Sequence, residues 1–151
     1  MTPSSFVFRA STPADDPALR ALLESAGLPA ADVATGARQQ YVLAFEGDRL
    51  VGSVGVELVG TDGLARSLAV VPELRGRGLA NALHERMLDV ARQRGVTTMY
   101  LLTTTADEFA QRRGFERISR SEVPAAVAEL AQFRALCPAT AVCMRRNVEA
   151  G

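Results

Sequence analysis

Lysine is absent: all 17 basic residues are arginine, and 17 acidic residues cancel them to a formal net charge of zero. A chain without lysine cannot carry the Gly-x-x-x-x-Gly-Lys-Ser/Thr phosphate loop. Without a basic excess it also lacks the electrostatic footprint of a general nucleic-acid or anionic-membrane binder. Tryptophan is missing too, and His84 is the single histidine. Two cysteines, Cys137 and Cys143, are too few for a disulfide scaffold and too isolated for a zinc cage, so no metal site is expected. No stretch approaches the ~20 apolar residues of a membrane span. Met1 to Arg9 lacks the basic start and apolar run of a secretory signal. These absences point to a reduced, cytoplasmic protein whose partner is neither nucleic acid nor membrane. The 151 residues, 48% hydrophobic and 23% charged, suit one domain over residues 1–151, without internal repeats or linkers.

Periodicity predicts the elements. Phe6 to Phe8 reads as a first strand, and Asp15 to Ala26 as a helix on the spacing of Leu19, Leu22, Leu23 and Ala26. Residues 28–38 have no firm period and suggest a short helix or a loop. Strands follow at Tyr41 to Phe45, Leu50 to Val59 and Leu64 to Val71, with Gly52 and Gly55 leaving room for an approach to the backbone. Gly78 to Arg94 is the longest helix, with the stripe Leu79, Leu83, Met87 and Val90. Met99 to Leu102 is a buried-type strand, joined to its predecessor by that helix as a βαβ unit. A short helix at Asp107 to Arg113, a strand at Phe115 to Ile118, a helix at Pro124 to Leu136 and a strand at Ala139 to Met144 complete the chain. The fold class is α+β, with a mainly antiparallel sheet and one parallel junction.

The informative stretch is Leu68-Ala69-Val70-Val71-Pro72-Glu73-Leu74-Arg75-Gly76-Arg77-Gly78-Leu79-Ala80. A buried strand enters a turn with two glycines and continues directly into an amphipathic helix. At such a junction several backbone N–H groups have no intrahelical partner and the helix dipole is positive. The physics predicts an anion site, most naturally for a diphosphate, with Arg75 and Arg77 beside it. A dinucleotide turn fits poorly, because Gly76-Arg77-Gly78 continues into Leu79-Ala80-Asn81 and follows the fourth strand rather than the first.

Arg75-Gly76-Arg77-Gly78-Leu79-Ala80 resembles the Arg/Gln-x-x-Gly-x-Gly/Ala signature of the GCN5-related N-acetyltransferase (GNAT) family. The likeness extends to the preceding Leu-Ala-Val-Val-Pro-Glu strand, to Arg94-Gly95-Val96 and to Arg113-Gly114-Phe115. It implies a mostly antiparallel sheet of about seven strands, splayed between the fourth and fifth and flanked by helices. It also implies acetyl-CoA as co-substrate. Leu68, Ala69 and Val70 would hold the pantetheine arm, and the N–H groups of Gly76 through Asn81 the pyrophosphate. Leu101 to Thr104 would form the far side of the gap. Many members carry an Asn near the end of the fifth strand and, seven residues on, a Tyr that protonates the leaving thiolate. Here Thr103 and Ala110 fall at those positions, so the usual acid is missing.

An ammonium substrate must lose a proton before its nitrogen attacks a thioester. Glu57, in an apolar strand, is the candidate base; a carboxylate on a solvated face is the alternative. Arg66, with Ser67, is placed to grip a substrate carboxylate, unless it pairs with Glu57 or Asp62. Arg120, near the end of the sixth strand, is a second and weaker candidate for the acceptor. His84, six residues past Gly78, reads as a surface or packing residue. Cys137 and Cys143 read as fillers.

A narrower resemblance, in Leu64 to Val70, Leu101 to Ala106 and Gln132 to Pro138, is to acetyltransferases of bacterial arsenic-resistance operons. Related detoxifying enzymes acetylate glutamate-like toxins such as arsinothricin and phosphinothricin, whose carboxylate would suit Arg66. The expected activity is N-acetylation of a small-molecule amine by direct transfer in a ternary complex. A protein or peptide acetyltransferase, or a catalytically degenerate acyl-CoA sensor, stands as the alternative, and a homodimer stays open.

Overall fold

The computed structural model describes residues 6–136 and 140–148. Seven strands form one sheet in the order β1-β2-β3-β4-β5-β7-β6. Turns at 47–48 and 60–61 join β2 (Gln39–Glu46), β3 (Arg49–Val59) and β4 (Asp62–Val70) into an antiparallel meander, with β1 (Phe6–Ala10) on its edge. From Val51 to Glu57 every residue of β3 is buried. Both faces of a strand must be covered to bury consecutive residues. Helices α1 (Asp16–Ser25) and α2 (Leu79–Gln93) supply much of that cover through Leu19, Leu23, Leu83, Met87 and Leu88.

Helix α2 carries the crossover to β5 (Thr98–Thr103), which lies parallel to β4. Their pairing is short: Asp62 opposite Thr98, Gly63 opposite Met99, and Leu64 opposite Tyr100. Beyond Leu64 the two strands run on without pairing. On its other side β5 pairs fully with β7 (Val142–Asn147), whose outer edge holds the two-residue β6 (Glu116–Arg117). The splayed, mainly antiparallel α+β sheet expected from sequence is present.

The C-terminal third departs from the periodic reading. In place of one helix from Pro124 to Leu136, a short α4 (Ala125–Ala128) gives way to π-helical turns at Gln132–Leu136. The buried positions Val127, Leu130 and Phe133 recur at steps of three, tighter than the α-helical 3.6. Backbone bonds from Leu130 to Val127 and from Phe133 to Leu130 follow the same step. These side chains pack on Leu64, Tyr100 and Cys143 as a second core. The last strand begins at Val142 and runs on to Asn147, because the ladder to β5 needs backbone groups rather than apolar side chains. Ala139 and Cys137 lie outside the described residues. Short helix α3 (Asp107–Arg112) matches its expected position.

The glycines of β3 make room for side chains, not for a ligand. Gly55 sits under the Tyr41 ring: an added Cβ would stand 2.5 Å from two ring carbons. Tyr41 is held there by burial and by donating its hydroxyl to Gln39 Oε1 at 2.7 Å. Replacing Gly55 by Ala is expected to cost about 1–3 kcal/mol through overpacking. The check is the urea midpoint at constant slope; an unchanged midpoint would show that the ring yields freely.

Candidate active site

The cleft begins where β4 leaves β5. The ladder between β3 and β4 shifts register between Ser53 and Gly55, and opposite this shift Ser67 adopts φ +61°, a left-handed conformation unusual for serine. Two hydrogen bonds hold it: Ser53 Oγ donates to the Ser67 carbonyl at 2.7 Å, and Arg66 Nε donates to Ser67 Oγ at 3.1 Å. The bulge turns Ser67 and Leu68 into a cleft of about 520 Å³. Leu64 to Leu68 line one wall and Leu101 to Ala106 the other. Thr103 is on that far wall, its hydroxyl accepting from the amides of Thr105 and Ala106 as the chain turns toward α3.

At the far end of β4 the chain passes through a single 3-10 turn at Pro72–Leu74 into the glycine turn. Gly76 and Gly78 take φ +80° and +82°, which only glycine adopts without strain. The backbone bond from the Ala82 amide to the Gly78 carbonyl opens α2, so the amides of Gly76, Arg77, Gly78, Leu79, Ala80 and Asn81 precede it. Amides in that position have no intrahelical partner, the arrangement from which the sequence reading expected an anion site. Arg75 and Arg77 are exposed beside it, and Arg75 Nε bonds the Val70 carbonyl at 3.2 Å, tying the turn to the strand. Ala69 and Val70 are buried, with Leu68 half-buried on the cleft wall. A further guanidinium escaped the sequence reading. Arg113 Nε donates to Asn81 Oδ1 at 2.8 Å, and its Cζ lies 3.6 Å from the Phe109 ring centre, so it joins α2 to α3.

The acceptor end is organised around Arg66, whose side chain is fully buried. Its Nη1 and Nη2 form a fork with Asp32 at 2.7 and 2.5 Å, and Nη1 also reaches Glu57 Oε1 at 3.0 Å. Burial opposes ionisation of Asp32, yet the hydrogen bonds and charge of Arg66 outweigh it and hold the carboxyl below its ordinary value. Gln132 Nε2 adds a contact to Asp32 at 3.3 Å. Burial, the largest influence, pushes neighbouring Tyr41 up to about 12.

Several expectations shift accordingly. Glu57 is engaged by Arg66 and is not among the residues lining the cleft, so it stands behind the wall rather than in the gap. Arg66 is among the cleft-lining residues, but its side chain is fully buried and its fork is already occupied by Asp32. Arg120 lies off the cleft walls, bonded to the Ala141 carbonyl at 3.3 Å and over the Phe133 ring. His84, read as surface or packing, is 4% exposed and lines the cleft with Phe109 and Ala110. Asp32 carried no signal: it sits in an aperiodic segment, 34 residues from the arginine it clasps. Cys143 is buried in the second core, where burial raises its thiol above the ordinary value. Among the described residues no cluster of His, Cys, Asp and Glu could hold a metal ion, and no helix is long and apolar enough to cross a membrane.

Known proteins share this architecture. The acetyltransferase (GNAT) family model matches residues 8–117. The amino-acid acetyltransferase of Pseudomonas syringae pv. tomato is 40% identical over 67 residues, which are 44% of this chain and 16% of that relative. This chain therefore spans only a small part of the curated relatives it matches. N-acetylglutamate synthase from Neisseria gonorrhoeae, solved with coenzyme A and N-acetyl-glutamate, superposes with a TM-score of 0.77 at 19% identity, over 95% of this chain and 35% of its own. A GNAT-family acetyltransferase from Staphylococcus aureus superposes with a TM-score of 0.76 at 15% identity, over 95% and 99% of the two chains. At these identities the structural likeness is one of fold. The family match, reaching from β1 to β6 and including the glycine turn, settles the grouping: the chain belongs to the GNAT acetyltransferase family.

Proposed function

We propose that this chain transfers an acetyl group from acetyl-CoA to the amino group of a small molecule, both bound together between β4 and β5. The observation that carries this reading is continuity: the unpaired edges of two parted strands lead directly to a phosphate-type turn. A co-substrate with two linked phosphates at one end and an extended, amide-bearing arm at the other fits that path. The amides of Gly76 to Asn81, with Arg75 and Arg77, suit the phosphates. The edges at Leu68 to Val70 and Thr103 suit the arm. Acetyl-CoA supplies a thioester carbonyl carbon. The cleft holds the acceptor's neutral nitrogen against that carbon and excludes competing water.

For the acceptor we infer an amino-acid-like amine, extending to the glutamate-like toxins suggested by the narrower resemblance. The curated relatives are amino-acid acetyltransferases, and Arg66, a cleft-lining residue, carries a carboxylate-binding fork that Asp32 fills from within the protein. An acceptor carboxylate would take Asp32's place on Arg66. Glu57 acts through Arg66 as a positioning residue, holding the fork from behind.

Thiol release from acetyl-CoA across amino acids, amines and peptides tests the reading directly: it is expected to depend on added small amine. Tight binding of coenzyme A with no turnover on any acceptor would favour a sensor instead. Gly78→Glu places a charge in the cradle at a left-handed position with open space around it. It should weaken coenzyme A binding by titration calorimetry at least about 100-fold while the far-UV spectrum stays unchanged; wild-type affinity would remove the turn from the site. Asp32→Ala frees the Arg66 fork. It should raise kcat/KM for carboxylate-bearing amines relative to carboxylate-free ones by about tenfold, the worth of one charge-assisted contact. An unchanged ratio would take Arg66 out of acceptor recognition.

A further inference from the structure

His84 is a buried polar group in the cleft wall that the acetyl-transfer reading leaves without a task. It is 4% exposed, and its Nε2 finds no hydrogen-bond partner among the described residues. Phe109 and Phe115 meet its ring edge-on, with centroids 5.8 and 5.9 Å away. Among the described residues lining the cleft, only His84 and Arg66 carry ionisable side chains, and Arg66 is already clasped by two carboxylates. Roughly nine in ten buried polar groups are paired in folded proteins. Leaving one unpaired costs about 1–3 kcal/mol. Nε2 belongs to a cleft-lining residue and is itself closed to water in this structure, so the partner it lacks would have to arrive with a ligand that packs against this imidazole.

Its position and surroundings select which part of the ligand. Helix α2 starts at Leu79 beside the anion cradle, and His84 lies five residues along it, about 7.5 Å on at 1.5 Å per residue. That separates it from the phosphates. The amides of an extended arm are served by the unpaired backbone edges of β4 and β5. A sulfur atom uses such edges poorly and suits a polarisable wall, which Met87 and Phe109 provide as lining residues of the same cleft, Phe109 in contact with this imidazole. Ala110, next along α3, offers only a methyl group.

We propose that His84 donates a hydrogen bond from Nε2 to the sulfur of the coenzyme arm and stabilises it as it departs, an inference that rests on the acetyl-CoA reading of the cleft. In the step served, the amine nitrogen bonds to the carbonyl carbon, the carbon–sulfur bond breaks and the electron pair goes to sulfur. The proton lost by nitrogen passes to solvent, from which the thiolate regains one. The imidazole works as a neutral donor throughout. Burial first, then the charges of Arg113 and Arg146, push it down to about 4. The same two guanidiniums favour negative charge on a nearby sulfur.

The test compares coenzyme A with desulfo-coenzyme A, which keeps the phosphates and the amides but lacks sulfur, on 15N-labelled protein. Both should shift the amide resonances of Gly76 to Asn81, and only coenzyme A should shift Nε2 of His84. Equal imidazole shifts with the two ligands, or none with either, overturn the assignment. If neither ligand moves the cradle amides, the coenzyme reading itself falls. Turnover gives an independent check. His84→Phe, which removes the orphaned nitrogen, should keep or raise Tm, leave KM for acetyl-CoA nearly unchanged and lower kcat about 100-fold, as loss of one charge-stabilising donor does. His84→Gln should recover part of that loss. Wild-type kcat in folded His84→Phe or His84→Gln overturns the proposal. A wild type that binds coenzyme A yet acetylates nothing defeats the functional reading while the resonance shifts still decide the contact.

Discussion

The molecule depends on a backbone ladder that stops early. Parallel strands β4 and β5 share only three residue pairs, from Asp62 and Thr98 to Leu64 and Tyr100. A sheet that stayed zipped would bury its edge groups in its own hydrogen bonds and leave no slot at its centre. Unpaired backbone groups away from water are costly, so an interior gap of this kind persists only with compensation. Here the compensation is local. Pairing with β3 on one side and β7 on the other holds both strands, and the left-handed Ser67 bulge turns β4 aside. The cleft is thus a property of strand pairing before it is a property of any side chain.

Two charge arrangements divide that cleft. Near the start of α2, amides that precede the first helical bond and exposed arginines make an end suited to anions, and Arg113 reaches across from α3 to Asn81. Beside β4, a buried guanidinium sits between Asp32 and Glu57, so the positive charge is more than balanced by two carboxylates. A buried cation without partners would be very costly, and a fork-shaped pair with a carboxylate is the geometry arginine prefers. Asp32 also ties the segment between α1 and β2 to the sheet, which brings Gly27, Leu28 and Pro29 to the cleft. In the proposed function, acceptor recognition and the placement of that segment would share one ion pair.

Between these ends the wall is mostly apolar, with a neutral histidine set among aromatic rings and methionine. Low polarity strengthens any hydrogen bond made there and penalises any left unmade. Where the family resemblance leads one to expect a tyrosine, the cleft wall holds Ala110. In the proposed reaction the chemistry at the centre would be served from another element, and α2 presents a side chain suited to it.

Much of this was legible along the chain. The strand, the paired glycines and the amphipathic helix from Leu68 to Gln93 were readable as a strand–turn–helix junction, because its groups come from consecutive backbone and need no distant partner. The meander and the crossover were equally readable, since alternation and helical spacing are local signals. Helix α4 was not: Val127, Leu130 and Phe133 follow the surface they cover rather than the ideal helical period. Nor could spacing pair Asp32 with Arg66, place Glu57 behind the wall instead of in the gap, or move Arg120 away from it. The fate of His84 turned on Phe109 and Phe115, which come from other parts of the chain. What neighbouring residues can build with their own backbone is written in order along the sequence. Which charges meet, and which polar atom stays without a partner, depends on segments far apart in the chain, and only packing them together decides it.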